Sequence, residues 1–216
     1  MTDDVVKLSG EPLYIDFADF EASRWLPVRE DRRPGTGRFI REKDCITNFI
    51  PEGTSQDDLL VAKDNVGYAM TLLKDFVAGD GRLDVELATY DLAAPTLCFR
   101  MQHEGEVHKQ AYMLVTWDQS RNGNVTHGLA VWKYLPPPLG KAKAWQRLAY
   151  WSVPIPRQKR LNVGLDFKGE NMTLYLDGVE VGGLHEPSPL PAGKIGLWGI
   201  EGPSRFYSLR FTPAAE

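Results

Sequence analysis

Arg160-Leu161-Asn162-Val163-Gly164-Leu165-Asp166-Phe167, followed by Lys168-Gly169-Glu170-Asn171 and then Met172-Thr173-Leu174-Tyr175-Leu176-Asp177-Gly178, is the stretch whose reading decides the fold. Leu161, Val163, Leu165 and Phe167 alternate with polar or small residues, the period of a strand with one buried face. Lys168-Gly169 and Asp177-Gly178 are turn pairs, because glycine accepts the positive φ that tight hairpins require. The segment therefore reads as a meander of short antiparallel strands that continues into Val179-Glu180-Val181.

The same pattern extends in both directions. Downstream, Gly193–Gly199 and Arg205–Phe211 read as closing strands. Upstream, Arg82–Thr89 places Leu83, Val85 and Leu87 on one face and Asp84 and Glu86 on the other. Pro12–Phe17, Gly67–Leu73, Pro95–Gln102, Ala111–Trp117, His127–Leu135 and Trp145–Val153 are further strand segments. Arg29–Asp44 and Asp118–Thr126 read as polar loops, and Pro136-Pro137-Pro138 as a linker, since proline cannot donate to a ladder. No amphipathic pattern of 12 or more residues signals a helix. About a dozen short strands in one chain predict an all-β fold, a two-sheet antiparallel β-sandwich or jelly roll, with residues 1–216 as a single domain.

Composition agrees with a packed domain and excludes several classes. Of 216 residues, 43% are apolar and 25% charged, with 20 Gly and 15 Pro, which rules out a collagen or a disordered chain. The formal charge of −4 hides a division. Residues 100–160 hold ten Lys/Arg against three Asp/Glu, four of the six Trp and three of the four His, while both flanks are acidic. An acidic total argues against a nucleic-acid partner. No run approaches the roughly 18 apolar residues of a membrane span. Met1-Thr2-Asp3-Asp4 opens no signal-peptide pattern, so a cytoplasmic location is expected for the chain as given, or a secreted or periplasmic one if a signal has been removed. Cys45 and Cys98 are expected to be buried free thiols.

The meander, the Pro191-Ala192-Gly193-Lys194-Ile195-Gly196-Leu197 element after it, the last strand Phe206–Phe211 and the early Tyr14-Ile15-Asp16-Phe17-Ala18-Asp19-Phe20 together resemble the concanavalin A-like lectin/glucanase superfamily. Within it they are most similar to the 3-keto-disaccharide hydrolase-like domains. The resemblance implies a carbohydrate ligand held in the groove of one sheet. It also implies a structural calcium between the first and last strands, with Asp16 or Asp19 among its ligands, although the last strand lacks the acid often found there. The Glu-x-Asp-x-x-Glu strand of the laminarinase-type glucanases is absent, and Asp84 with Glu86 lacks the third acid.

Sugar recognition needs flat aromatic faces and hydrogen-bonding side chains, and residues 100–160 supply both. Arg100, His127 and Asp118 are the expected catalytic residues, with His127 as a base beside Asp118 or Tyr112. Gln102, Tyr112, Trp117, Trp132, Tyr134, Arg147 and Trp151 are the expected substrate-binding residues. Alternation leaves the outward set open on three strands: Tyr112 and Thr116 or Met113 and Trp117, His127 and Lys133 or Trp132 and Tyr134, Arg147 and Trp151 or Gln146 and Tyr150. His103 and His108, with Glu104 and Glu106 between them, are a looser metal-binding alternative. The function expected is carbohydrate binding with glycoside hydrolase or lyase activity. The alternatives are a non-catalytic binding module or lectin, and a laminin-G-type interaction domain, for which a homodimer through an exposed sheet is the natural assembly.

Overall fold

The computed structural model describes residues 10–29, 37–60, 67–90, 93–121, 124–135 and 145–215. Two antiparallel sheets face each other, as the alternation predicts. The first runs in the order β13 (Val179–His185), β12 (Asn171–Leu176), β11 (Leu161–Lys168), β6 (Gly81–Thr89), β15 (Ser204–Pro213), β4 (Ile46–Asn48), β3 (Phe39–Arg41), with β1 (Leu13–Asp16) also paired to β15. The second runs β10 (Trp145–Ser152), β9 (Asn124–Tyr134), β8 (Val107–Arg121), β7 (Thr96–Glu104), β14 (Lys194–Gly199), β5 (Ala69–Leu73), β2 (Trp25–Val28). The one α-helix among the described residues, α1 (Gln56–Leu60), is far too short to cross a membrane.

The core lies between the sheets. Leu83, Val85 and Leu87 of β6, Val163, Leu165 and Phe167 of β11, and Leu209 and Phe211 of β15 meet Leu97 and Phe99 of β7, Leu114 of β8, Leu129 and Val131 of β9 and Leu197 of β14. Phe99 joins the layers, with its ring 5.1 Å from Tyr112 on its own sheet and 5.4 Å from Phe167 on the other. Burial of that many apolar side chains, each contributing about 1.5–3 kcal/mol, is the main favourable term of the fold.

Three segments differ from the sequence reading. Arg29–Asp44 contains a strand, β3, that forms a hairpin with β4. Its charged flanks mask a pattern only three residues long. Asp118–Thr126 is no loop: β8 and β9 stay paired out to Arg121 opposite Asn124, because polar residues on both faces do not prevent a ladder from continuing into solvent. Their junction residues, 122 and 123, lie outside the described set, as do the prolines at 136–138. β13 runs on to His185 through Gly182 and Gly183, which have no strand propensity. At Gly182 a Cβ atom would lie 2.3 Å from the Trp151 indole nitrogen. Only a glycine lets Trp151 of β10 lie against β13 and close that edge of the sandwich.

Cys45 and Cys98 are free and buried, as expected. Burial pushes the Cys45 thiol up to about 11, with Glu42 adding to the rise, and burial alone pushes Cys98 further in the same direction. Neither is a nucleophile near neutral pH.

Candidate functional site

Three environments receive the residues expected to act, and two β-bulges decide the distribution. The first bulge is in β7, where the register against β8 shifts between Phe99 and Gln102 and Arg100 takes φ +49°. Strict alternation puts Arg100 on the face of Cys98. The bulge turns it inward instead, 5% exposed, with its guanidinium carbon 5.1 Å from the Phe167 ring. There it donates to the Leu190 carbonyl at 2.7 Å and pairs with Asp80. Arg100 therefore does not reach either outer face, and its expected catalytic role is withdrawn in favour of a structural one.

Arg100 belongs to a polar seam. The segment joining β13 to β14 is tied down by side chains of the second sheet. Gln102 donates to the Ala192 carbonyl at 2.9 Å, and the Leu190 N–H donates to the Tyr112 hydroxyl at 3.0 Å. Lys133 donates to the Ser188 carbonyl at 2.7 Å and to Glu186 at 3.2 Å. Tyr112 is wholly buried, and burial raises its phenol to about 12 despite the Leu190 contact, with the Glu186 charge adding to the rise. Tyr112 and Gln102 thus hold the chain rather than a ligand, because the inward parity of β8 and the contacts of this segment consume their polar atoms.

The second environment is the outer face of the second sheet. The ladder sets Ala111, Met113, Val115 and Trp117 opposite Tyr134, Trp132, Ala130 and Gly128. Tyr134 and Trp132 in turn face Trp145 and Arg147 of β10. The outward set on these strands is thus the one with Trp117, Trp132 and Tyr134. On β10 a bulge between Arg147 and Ala149 splits the strand, so that Arg147 and Tyr150 face outward while Trp151 faces inward. Neither pairing that simple alternation offers for β10 is correct, and Trp151 seals the sandwich edge instead of meeting solvent.

The result is two groups of aromatic contacts on this face. Trp117 and Trp132 have ring centroids 6.4 Å apart, Tyr134 and Trp145 4.8 Å, Trp145 and Trp198 5.5 Å and nearly parallel, and Tyr68 and Trp198 5.4 Å. Trp198 and Tyr134 are buried, and Trp117, Trp132, Trp145 and Tyr150 are half-buried. The exposed Arg147 guanidinium lies 5.8 Å from the Trp132 ring and 5.7 Å from the Tyr150 ring. The indole N–H groups of Trp132 and Trp198 are buried without a hydrogen-bond partner among the described residues, an arrangement that costs about 1–3 kcal/mol per group unless water or a ligand completes it. Among the described side chains around these rings on β8, β9, β10 and β14, none is Asp or Glu. Tyr68 and Trp198 are not singled out from sequence as ligand-facing, whereas Tyr150 belongs to one of the two sets that alternation allows. Trp198 could have been found from its alternation with Gly196 in Lys194–Gly199.

The third environment is the far end of β8 and β9. His127 and Asp118 stand directly opposite in the ladder. The structure describes Asp118 by its backbone alone, so its side chain lies outside the described set. The His127 carbonyl accepts the Tyr150 hydroxyl at 2.8 Å, and His127 borders an open pocket with Ser152, Val153, Pro154, Ile155 and Pro156.

The remaining acids are bound up or dispersed. On the outer face of the first sheet, Asp84 takes three contacts of 3.0–3.1 Å from Arg82, and Glu86 faces Arg160 at 3.9 Å. They form an ion-paired surface and not an acid/base pair for hydrolysis. Asp16 caps the turn at Phe17–Asp19 by accepting the Ala18 N–H, and with Asp19 and Glu21 borders an open pocket. Among the described residues no three His, Cys, Asp or Glu side chains converge on a point. The side chains at Asp16 and Asp19 therefore do not by themselves make the calcium cage that the resemblance implies. His103 bonds the Gly105 carbonyl at 3.0 Å, and the His108 side chain lies outside the described set.

No protein-family model matches the chain, and no curated protein matches it. Solved structures do. A carbohydrate-binding module from Bacillus subtilis superposes with a TM-score of 0.63 at 16% identity, over 87% of this chain and 95% of that one. A Bacillus licheniformis β-glucanase gives 0.62 at 10% identity, over 95% and 100%. A Bacillus subtilis protein of unknown function with a galectin-like fold gives 0.61 at 10%, over 88% and 89%. At these identities the likeness speaks for the fold alone, a two-sheet antiparallel β-sandwich of jelly-roll type.

Proposed function

We propose that this protein binds carbohydrate on the outer face of its second sheet, stacking a saccharide on Trp117 and Trp132, and that it does so without cleaving it. The observation that carries the reading is the half-buried Trp117–Trp132 pair, rimmed by the exposed Arg147. Flat π faces match the C–H faces of pyranose rings. The lack of Asp and Glu among the described side chains around these rings favours binding over hydrolysis, since glycoside cleavage needs two positioned carboxyl groups. The fold likeness to a carbohydrate-binding module agrees with this but is shared by glucanases. The C-terminal meander supports kinship with the 3-keto-disaccharide hydrolase-like domains. A lytic reading would rest on His127 and Asp118, opposite each other on β9 and β8.

Isothermal titration of the intact protein against a panel of neutral and acidic oligosaccharides tests the proposal. Trp132→Ala should weaken the best ligand at least tenfold while leaving the chain folded by circular dichroism. An absence of heat with every saccharide would sink the reading. Release of reducing ends or unsaturated products, lost in His127→Ala, would replace it with an enzymatic one.

A further inference from the structure

We propose that the saccharide held on this face is anionic, a hexuronate-containing oligosaccharide whose carboxylate is taken by Arg147; this deepens the carbohydrate-binding reading and rests on it. Four arginines elsewhere on the surface are committed to carboxylates: Arg24 to Asp75, Arg82 to Asp84, Arg160 to Asp44 and Arg205 to Glu42. Arg147 is exposed, and among the described residues it meets aromatic rings and no acid. Arg38 over Phe49 and Arg210 over Tyr14 also rest on rings, but each has a single ring and stands apart from the paired tryptophans.

Two rings hold the planar guanidinium of Arg147 without consuming its N–H donors. That leaves an oriented fork at the rim of a stacking surface. A carboxylate is its geometric complement, because two parallel N–H···O contacts form at once. The surroundings favour a negative partner as well. Among the described side chains around the Trp117–Trp132 pair, none is an acid. A sugar stacked on Trp117 and Trp132 places its ring substituents toward Arg147, which sits directly opposite Trp132 in the ladder. A carboxylate at the sugar's C5 is the anionic group that a stacked pyranose carries closest to its own ring plane. A sulfate ester offers the same charge with a different geometry.

The test is titration of the full chain with hexuronate oligosaccharides, their methyl-esterified forms, and sulfated neutral oligosaccharides of equal length. The acid form should bind at least tenfold more tightly than its ester. Arg147→Gln should bring the two within twofold of each other, and Arg147→Lys should fall between, keeping charge but losing the fork. Thermal melts establish that each variant is folded. Equal binding of acid and ester, a preference that survives in Arg147→Gln, or tighter binding of the sulfated chain overturns the hexuronate assignment while carbohydrate binding stands. Failure of every saccharide to bind overturns both.

Discussion

Lys133→Met is expected to unfold with about 3–5 kcal/mol less free energy than the parent, the usual cost of removing one partner from a buried ion pair. Lys133 and Glu186 are each about nine-tenths buried, 3.2 Å apart. Glu186 also accepts the Ser188 N–H at 3.1 Å, and Lys133 donates to the Ser188 carbonyl. Methionine fills the stem of the lysine but leaves the carboxylate with one weak donor in an apolar wall. Lys133→Met combined with Glu186→Leu should recover most of the loss, because the penalty belongs to the stranded charge. Urea unfolding of the parent and the two variants at pH 7 measures this. A single variant as stable as the parent would show that the pair contributes nothing.

Arg100→Met is expected to lose about 2–4 kcal/mol and, at roughly 2–4 °C per kcal/mol for a chain of this size, to melt about 5–15 °C lower. Its guanidinium satisfies the Leu190 carbonyl and pairs with Asp80, whose other oxygen accepts the Gly169 N–H at 2.8 Å. The loss sits below that of Lys133→Met because Asp80 is about a third exposed and water can replace part of the interaction. Saccharide affinity measured below the melting range should match the parent, since Arg100 points away from the aromatic face. A variant that melts like the parent but no longer binds would return Arg100 to the site.

Both predictions depend on the distinction between inner and outer residues, and that is where sequence reading was strong in one respect and weak in another. The regular strands were legible: Leu161–Phe167 and Arg82–Thr89 pair in the register that their alternation implies. The outward tryptophans were partly legible, since Trp117, Trp132 and Tyr134 form one of the two sets that alternation allowed. Arg100 and Trp151 were misplaced because each follows or sits in a bulge. One extra residue inverts the facing of everything beyond it, and nothing local in Cys98–Gln102 or Arg147–Trp151 signals the insertion. The bulges are stabilised by contacts remote in sequence, Asp80 and Leu190 for Arg100 and Gly182 for Trp151. The Lys133–Glu186 pair was illegible for the same reason, as 53 residues separate its members.

The seam between β13 and β14 has a further consequence for motion. A connection that crosses from one sheet to the other is ordinarily the first part of a sandwich to open. Here the Leu190 and Ser188 amides are held by Tyr112 and Glu186, and the Glu186 amide by the Glu170 carbonyl. Release of the Leu190 amide requires its contact with the second sheet to open. Its proton is therefore expected to exchange with solvent more slowly than those of ordinary loops. The crossover acts as a clasp between the layers, on the side of the second sheet away from the aromatic face.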